Sequence, residues 1–330
     1  MSDTVSDDLV RMEPRLGLSK EKRSWAVPAL VADAGPDASR RFLEFFAATI
    51  RNPNTRAAYA RALSQFFGWC EDRGVQRLDQ VEPMVVAAYI EQHPRSAPTV
   101  KQHLAAIRMC FDWLVTGQVI RQNPATSVKG PKHIVTRGKT PVLAADEARQ
   151  LLDSIETDTI VGLRDRALIG LMVYSFARVG AAVGMSVEDY YREKKRWWFR
   201  LHEKGGKNHA VPAHHNAEEY MDAYLEAARI AGAKGAPLFR TVSRARELTD
   251  HGMSRVDAFR MIKRRAKAAG LPPEICCHTF RATGITAYLN NGGTLEKAQQ
   301  IAAHSSPRTT KLYDRTNDEL TLDEIERIQI

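Results

Sequence analysis

Cysteine is scarce in this chain of 330 residues: Cys70, Cys110, Cys276 and Cys277 are irregularly spaced and two of them are adjacent. That usage argues against the disulfide framework of a small secreted protein. No stretch approaches the roughly 20 apolar residues that a membrane helix needs. The start, MSDTVSDDLV, lacks a basic region followed by an apolar one, as an export signal would have. A soluble, unexported, cytoplasmic protein with no membrane partner is expected. The glycine turn Lys204-Gly205-Gly206-Lys207 lacks both the Gly-Lys-Ser/Thr ending and the long glycine spacing of a nucleotide-binding loop. Internal repeats and low-complexity runs are absent, which excludes solenoids and arrays.

What is present is enough apolar sequence, 44% of residues, to bury two cores. Lys plus Arg outnumber Asp plus Glu by 48 to 39, a net +9 that suits a polyanionic partner such as nucleic acid. Residues 1–38 read as a flexible tail: they hold Pro14, Pro28 and Pro36, mix acids with bases, and show no sustained periodicity. From Ser39 the pattern turns helical. Phe42, Phe45, Phe46 and Ile50 recur at helical spacing, then Tyr59, Leu63, Phe66 and Phe67, then Val85, Val86, Tyr89 and Ile90, and last Leu104, Ile107, Cys110, Phe111 and Leu114. Asn54-Thr55 and Ala97-Pro98-Thr99 read as helix starts, and Gly74 and Gly117 as stops. A small all-helical domain over 39–132 follows, then a charged linker over 133–141.

The remaining 142–330 form the larger domain. Asp146 precedes Leu151, Leu152 and Ile155 as a capped helix, and DRALIGLMVY over 165–174 is apolar enough for a central buried helix. Strand-like runs are confined to Trp197–Leu201 and Ala210–Pro212, a β-hairpin around the Lys204–Lys207 turn.

Four segments of this domain carry reactive side chains. YSFARVG ends the buried helix with Arg178, the hairpin turn holds Lys204, ICCHTFRATGIT places His278 three residues before Arg281, and AAHSSPRTTKLYDR places His304 nine before Tyr313. The fixed-spacing quartet of His, Arg, His and Tyr has chance odds on the order of 10⁻⁶ per start position, so coincidence is a poor explanation. These segments resemble the motif boxes of the tyrosine recombinase, or phage integrase, family: an arginine after the buried helix, a lysine in a β-hairpin, His-x-x-Arg, a second His, then Tyr. The likeness covers the whole catalytic half and, more loosely, the helical half, which is similar to the family's SAM-like core-binding domain. It implies a mainly α fold with a small sheet: two domains, a helical core-binding domain and an α+β catalytic domain, closing as a clamp on double-stranded DNA with a specific recombination site. It also implies self-association into a dimer or tetramer on that DNA, with a C-terminal tail helix docking on a neighbour. The tail before Ser39 is short for an additional arm-binding domain, which favours a simple recombinase of the Cre/Xer kind, acting at the nucleoid.

The chemistry explains the residue types. Attack on a phosphodiester spreads negative charge over the non-bridging oxygens, and guanidinium forks of Arg178 and Arg281 can neutralise it without a metal, with His304 as a third donor. The Tyr313 hydroxyl, with an ordinary pKa near 10, has to lose its proton as it attacks. The resemblance assigns His278 as the base and Lys204, the first lysine of the turn motif, as the acid that protonates the leaving 5′-oxygen. The resulting 3′-phosphotyrosine conserves bond energy, so neither ATP nor any other cofactor is expected. The chain departs from the family twice: the usual carboxylate three residues after the first arginine is Ala181, and the usual glycine before the second histidine is Ala303. Another group is therefore expected to hold Arg178.

Neither the crowded His202, His209, His214 and His215 nor Cys276-Cys277-His278 has zinc-site spacing, so no metal is expected. In the helical half, Thr99, Lys101, Gln102 and Arg108 lie on a helix whose other side is apolar, and they are the candidate DNA contacts: Lys and Arg for phosphate, Gln for adenine edges. A merely solvated face is the alternative, but 39–132 holds 13 Lys plus Arg against 7 Asp plus Glu, an excess that favours DNA. Two rival readings remain at this point, a type IB topoisomerase that relaxes DNA by the same chemistry and a DNA-binding regulator with weak or lost catalysis.

Overall fold

A computed structural model describes residues 27–135, 138–203 and 207–314. The chain divides into two compact units, Met1–Ile134 and Val135–Ile330.

The first unit is helical: α1 Ala29–Ala32, α2 Pro36–Glu44 running into a wider π-helical turn at Phe45–Thr49, α3 Pro53–Glu71, α4 Pro83–Glu91 and α5 Ala97–Thr116. All but α1 open with proline in the first turn, where the missing N–H would have had no partner within the helix. Asn52 caps α3 by accepting from the backbone N–H groups of Asn54 and Thr55 at 2.9 and 3.2 Å. The core is aromatic: Phe45, Phe66, Phe67 and Phe111 are fully buried, with Phe66 edge-on to both Tyr89 and Phe111. The helical start expected at Ser39 needs correction. Pro36 already opens α2, and Leu30, Val31 and Ala38 are buried in this core, because a short apolar segment too brief to show periodicity still finds a face to cover. The rest of the expected tail, residues 1–26, lies outside the described residues.

The second unit is built around α7, Ile160–Tyr174, whose Ala167–Met172 run is buried on every side, so its sequence shows no polar face. Against it lie α6 Ala145–Asp153, α9 His215–Ala228 and α11 Cys277–Asn290. Gly284 sets the approach of α11, since a Cβ there would stand 2.1 Å from the Val173 carbonyl oxygen and 2.8 Å from the Phe176 ring. Buried Asp165 is satisfied by Arg164 and Arg265, at 2.6 and 2.9 Å, so this charge is paired within the core.

The expectation of a single hairpin is also corrected. A third strand, β1 Tyr190–Glu193, pairs antiparallel with β2 Arg196–Glu203, which pairs with β3 Lys207–Pro212 in the order β1-β2-β3. A separate ribbon joins β4 Arg240–Val242 to β5 Leu248–Gly252. The missed strands are only three to five residues long and half-exposed or exposed apart from Tyr190, so neither length nor alternation marks them. Helices α8 Val179–Val183, α10 Arg255–Ala268, α12 Leu295–Ile301 and α13 Pro307–Lys311 complete the described elements. The expected C-terminal tail helix falls on 315–330, outside the described residues. Among the described residues no helix is long and apolar enough to cross a membrane.

Candidate active site

Chain reversals around α7 and α11 deliver the reactive groups to one place. After α7 ends, Phe176 takes a left-handed conformation (φ 55°), which turns the chain sharply and brings Arg178 to the position just before α8. The same turn aims the Phe176 carbonyl at Arg281, which donates one guanidinium N–H to it and another to the carbonyl of Ala302. Arg281 is 1% exposed and its Nε has no hydrogen-bond partner among the described residues. A buried donor left open beside held ones is what an absent anion would satisfy.

His304 is placed by the end of α12. Its backbone N–H donates to the Gln299 carbonyl and that of Ala303 to the Gln300 carbonyl, the paired bonds of a Schellman helix stop. Such a stop needs a left-handed residue before His304, and Ala303 adopts φ 46°. The usual glycine of the resembled family at this position therefore has a conformational reason. The His304 ring, 7% exposed, stacks on Tyr313 at 5.7 Å with planes 9° apart, while Nδ1 lies 2.9 Å from Thr310 Oγ1. If the threonine hydroxyl donates to Nδ1, then Nε2 carries the hydrogen and a neutral His304 still offers a donor.

Tyr313 follows α13. Its carbonyl accepts from Thr286 Oγ1 at 3.0 Å, its ring closes a small apolar cluster with Phe176, Ala282 and Ile285, and its hydroxyl lies 2.6 Å from His278 Nε2. Burial raises the Tyr313 pKa above the ordinary tyrosine value, against the opposing pull of Arg281 and Arg178, so the hydroxyl is protonated at neutral pH. His278 sits at the rim and is exposed; partial desolvation and then the charges of Arg281 and Arg178 hold it below the ordinary histidine range, keeping Nε2 able to accept. Burial, then the same two arginines and His278, push His304 down to about 3.

Arg178 is the more open of the two arginines, with a side chain 38% exposed. It pairs with the carboxylate of Glu203, 4% exposed, at the end of β2. Sequence reasoning missed Glu203, whose only signals were the missing carboxylate at Ala181 and its place beside Lys204. Lys204 itself lies outside the described residues, but the strands flanking it are in register with Glu203 opposite Lys207. The hairpin is tied to the His304 segment, as His209 Nε2 donates to the Ile301 carbonyl at 2.9 Å. The other hairpin histidines are engaged separately: His202 with Asn208 and Asp189, and His214 stacked between Tyr174 and His215. Cys276 and Cys277 are half-exposed at the start of α11.

Of the DNA contacts expected in the first unit, Lys101 and Gln102 are exposed and Thr99 half-buried on α5. The Arg108 guanidinium donates to the carbonyls of Ala125 and Val128 and so also holds the segment after α5. Helical periodicity places Arg108 on the surface side but cannot show that a later loop folds back over it.

The model of the phage integrase family matches residues 141–319, and that of the phage integrase N-terminal SAM-like domain matches 40–118. The chain is 27% identical over 264 residues to tyrosine recombinase XerD of Listeria monocytogenes, covering 79% of this chain and 87% of that protein. It is 28% identical over 269 residues to tyrosine recombinase XerC of Thermodesulfovibrio yellowstonii, covering 79% and 85%. Among solved structures it is similar to XerH site-specific recombinase bound to a palindromic difH substrate, with TM-score 0.66, 19% identity, and 83% and 79% of the two chains covered. It is also similar to a lambda integrase dimer bound to a COC′ core site, with TM-score 0.63, 21% identity, and coverage of 86% and 77%.

Proposed function

The chain belongs to the phage integrase family, and from that membership we propose that it is a tyrosine-type site-specific recombinase that cuts and rejoins duplex DNA through a 3′-phosphotyrosine on Tyr313. The observation that carries this reading is the Tyr313 hydroxyl 2.6 Å from His278 Nε2, beside the open Nε of buried Arg281.

As Tyr313 Oη bonds to phosphorus, its proton passes to His278 Nε2 and the bond to the 5′-oxygen breaks. Lys204 supplies the proton that the departing oxygen takes. Arg178, Arg281 and the Nε2–H of His304 meet the charge that grows on the non-bridging oxygens. Holding His278 and His304 neutral suits both tasks, one accepting a proton and the other donating a hydrogen bond without losing it. Attack by a 5′-hydroxyl of a second duplex reverses the steps, so the ester retains the energy and no ATP enters. Because strand exchange needs paired sites, the protein assembles as a dimer or tetramer on its DNA, and it works in the cytoplasm at the nucleoid. The first, helical unit serves as the core-binding domain and the second as the catalytic domain, with Thr99, Lys101 and Gln102 facing DNA.

Tyr313→Phe removes one oxygen and keeps the ring, so it should bind DNA normally and form no covalent adduct. The variant can therefore select bound genomic fragments, and suicide duplexes carrying the recovered site should give adducts and joined products with the unaltered protein. A protein-linked 3′ end formed by the Phe variant, or relaxation of any plasmid regardless of sequence, would overturn the reading.

A further inference from the structure

We propose that Glu203 is the positioning residue for Arg178, doing from the β-hairpin what no residue of α8 can do. This rests on the reading of Arg178 as a phosphate-binding group.

Arg178 is poorly constrained by its own segment. It precedes α8 in an extended conformation (ψ 143°), and one turn onward, where a carboxylate could reach back, stands buried Ala181. An unheld guanidinium on a side chain 38% exposed would sample many rotamers and meet a phosphate in few of them. Glu203 removes that freedom. Its carboxylate is almost wholly buried, carries a hydrogen-bonded ion pair to Arg178, and is fixed at the last residue of β2, paired with Lys207 of β3. Being buried, it is little screened, and a buried carboxylate of this kind persists only where it is paired.

The placement has a second consequence. Arg178 and Arg281 repel one another, and the carboxylate of Glu203 acts on Arg281 in the opposite sense, offsetting that repulsion before a phosphate arrives. Glu203 also precedes Lys204, so one carboxylate ties the arginine of one segment to the hairpin that carries the proposed acid. Removing its charge should therefore leave DNA affinity unchanged or slightly raised, since a negative group is lost, while the reacting geometry deteriorates. Loss of a general structural prop would instead weaken both.

The test is a double-mutant cycle on single-turnover adduct formation. The substrate is the recovered site with sulfur in place of the bridging 5′-oxygen, whose easier departure keeps slow variants measurable. Glu203→Gln should react roughly 10- to 100-fold more slowly, the usual range for losing a buried partner that orients an active group, with unchanged melting temperature and undiminished DNA binding. In an Arg178→Lys background, itself slow, the same change should have almost no further effect. Should Glu203→Gln lower the melting temperature, Glu203→Asp keeps the buried charge and reads the same coupling: it must slow the parent but not Arg178→Lys. Additive losses in the two backgrounds, or a Glu203→Gln protein as fast as the parent while Arg178→Lys is slow, would overturn the proposal and leave the role of Arg178 standing. An Arg178→Lys protein as fast as the parent would overturn that role itself.

Discussion

At the scale of single residues, the site departs from its family's pattern twice, and the two departures have different physics. Ala181 removes a carboxylate, and a carboxylate from elsewhere meets Arg178. Ala303 keeps the geometry of a glycine without its freedom: φ 46° brings Cβ against the following carbonyl, a strain of roughly 1–2 kcal/mol for an L-residue. Glycine would relieve that strain and lose about 0.5–1 kcal/mol to greater freedom in the unfolded chain. Relief of strain outweighs that loss. Ala303→Gly should therefore raise unfolding free energy by up to about 1 kcal/mol, measurable by denaturant titration, and leave the cleavage rate unchanged, since the backbone bonds to Gln299 and Gln300 still place His304. A less stable glycine variant would mean that this turn is not strained.

At the scale of elements, what positions the site is the close crossing of α7 and α11. Gly284→Ala pits two effects against each other. Alanine favours a helix interior over glycine by about 1 kcal/mol, but its methyl would sit 2.1 Å from a backbone carbonyl oxygen and 2.8 Å from the Phe176 ring. Because the obstacle is backbone and not the end of a flexible side chain, the helices have to part, and overpacking of this kind costs roughly 1–3 kcal/mol. The clash should win: the variant should melt earlier and cleave more slowly, as Phe176 is the residue whose carbonyl holds Arg281. A variant as stable and as active as the parent would show that the crossing has slack. The long elements were legible in sequence, since the buried run of α7 and the aromatic spacing of α2, α3 and α5 are dictated by burial itself. So was the grouping of His278, Arg281, His304 and Tyr313, which the chain presents at fixed short spacings and the fold gathers in one place. Short strands with mixed exposure were not legible, nor were partnerships made across the fold. Glu203 lies 25 positions from Arg178, and Arg108 bonds to carbonyls 17 and 20 positions on, distances over which no local pattern runs.

At the scale of the whole molecule, the net charge of +9 is a statement about partners, and its distribution makes that statement testable. The helical unit carries a local excess of basic residues, yet its two cations on α5 have different work. Lys101 is exposed, whereas the guanidinium of Arg108 is spent on carbonyls of its own chain. Each phosphate neutralised by a bound cation releases counterions, contributing about 0.9 to the slope of log affinity against log salt on B-form DNA. If Lys101 meets a phosphate, Lys101→Ala should make that slope shallower by about one and weaken binding to specific and unrelated duplexes alike. Arg108→Ala should instead lower the melting temperature, because two carbonyls lose their donor, and leave the salt slope of the remaining folded protein as it was. An unchanged slope for Lys101→Ala would return that lysine to an ordinary solvated face, and a shallower slope for Arg108→Ala in protein of unaltered stability would make Arg108 a DNA contact.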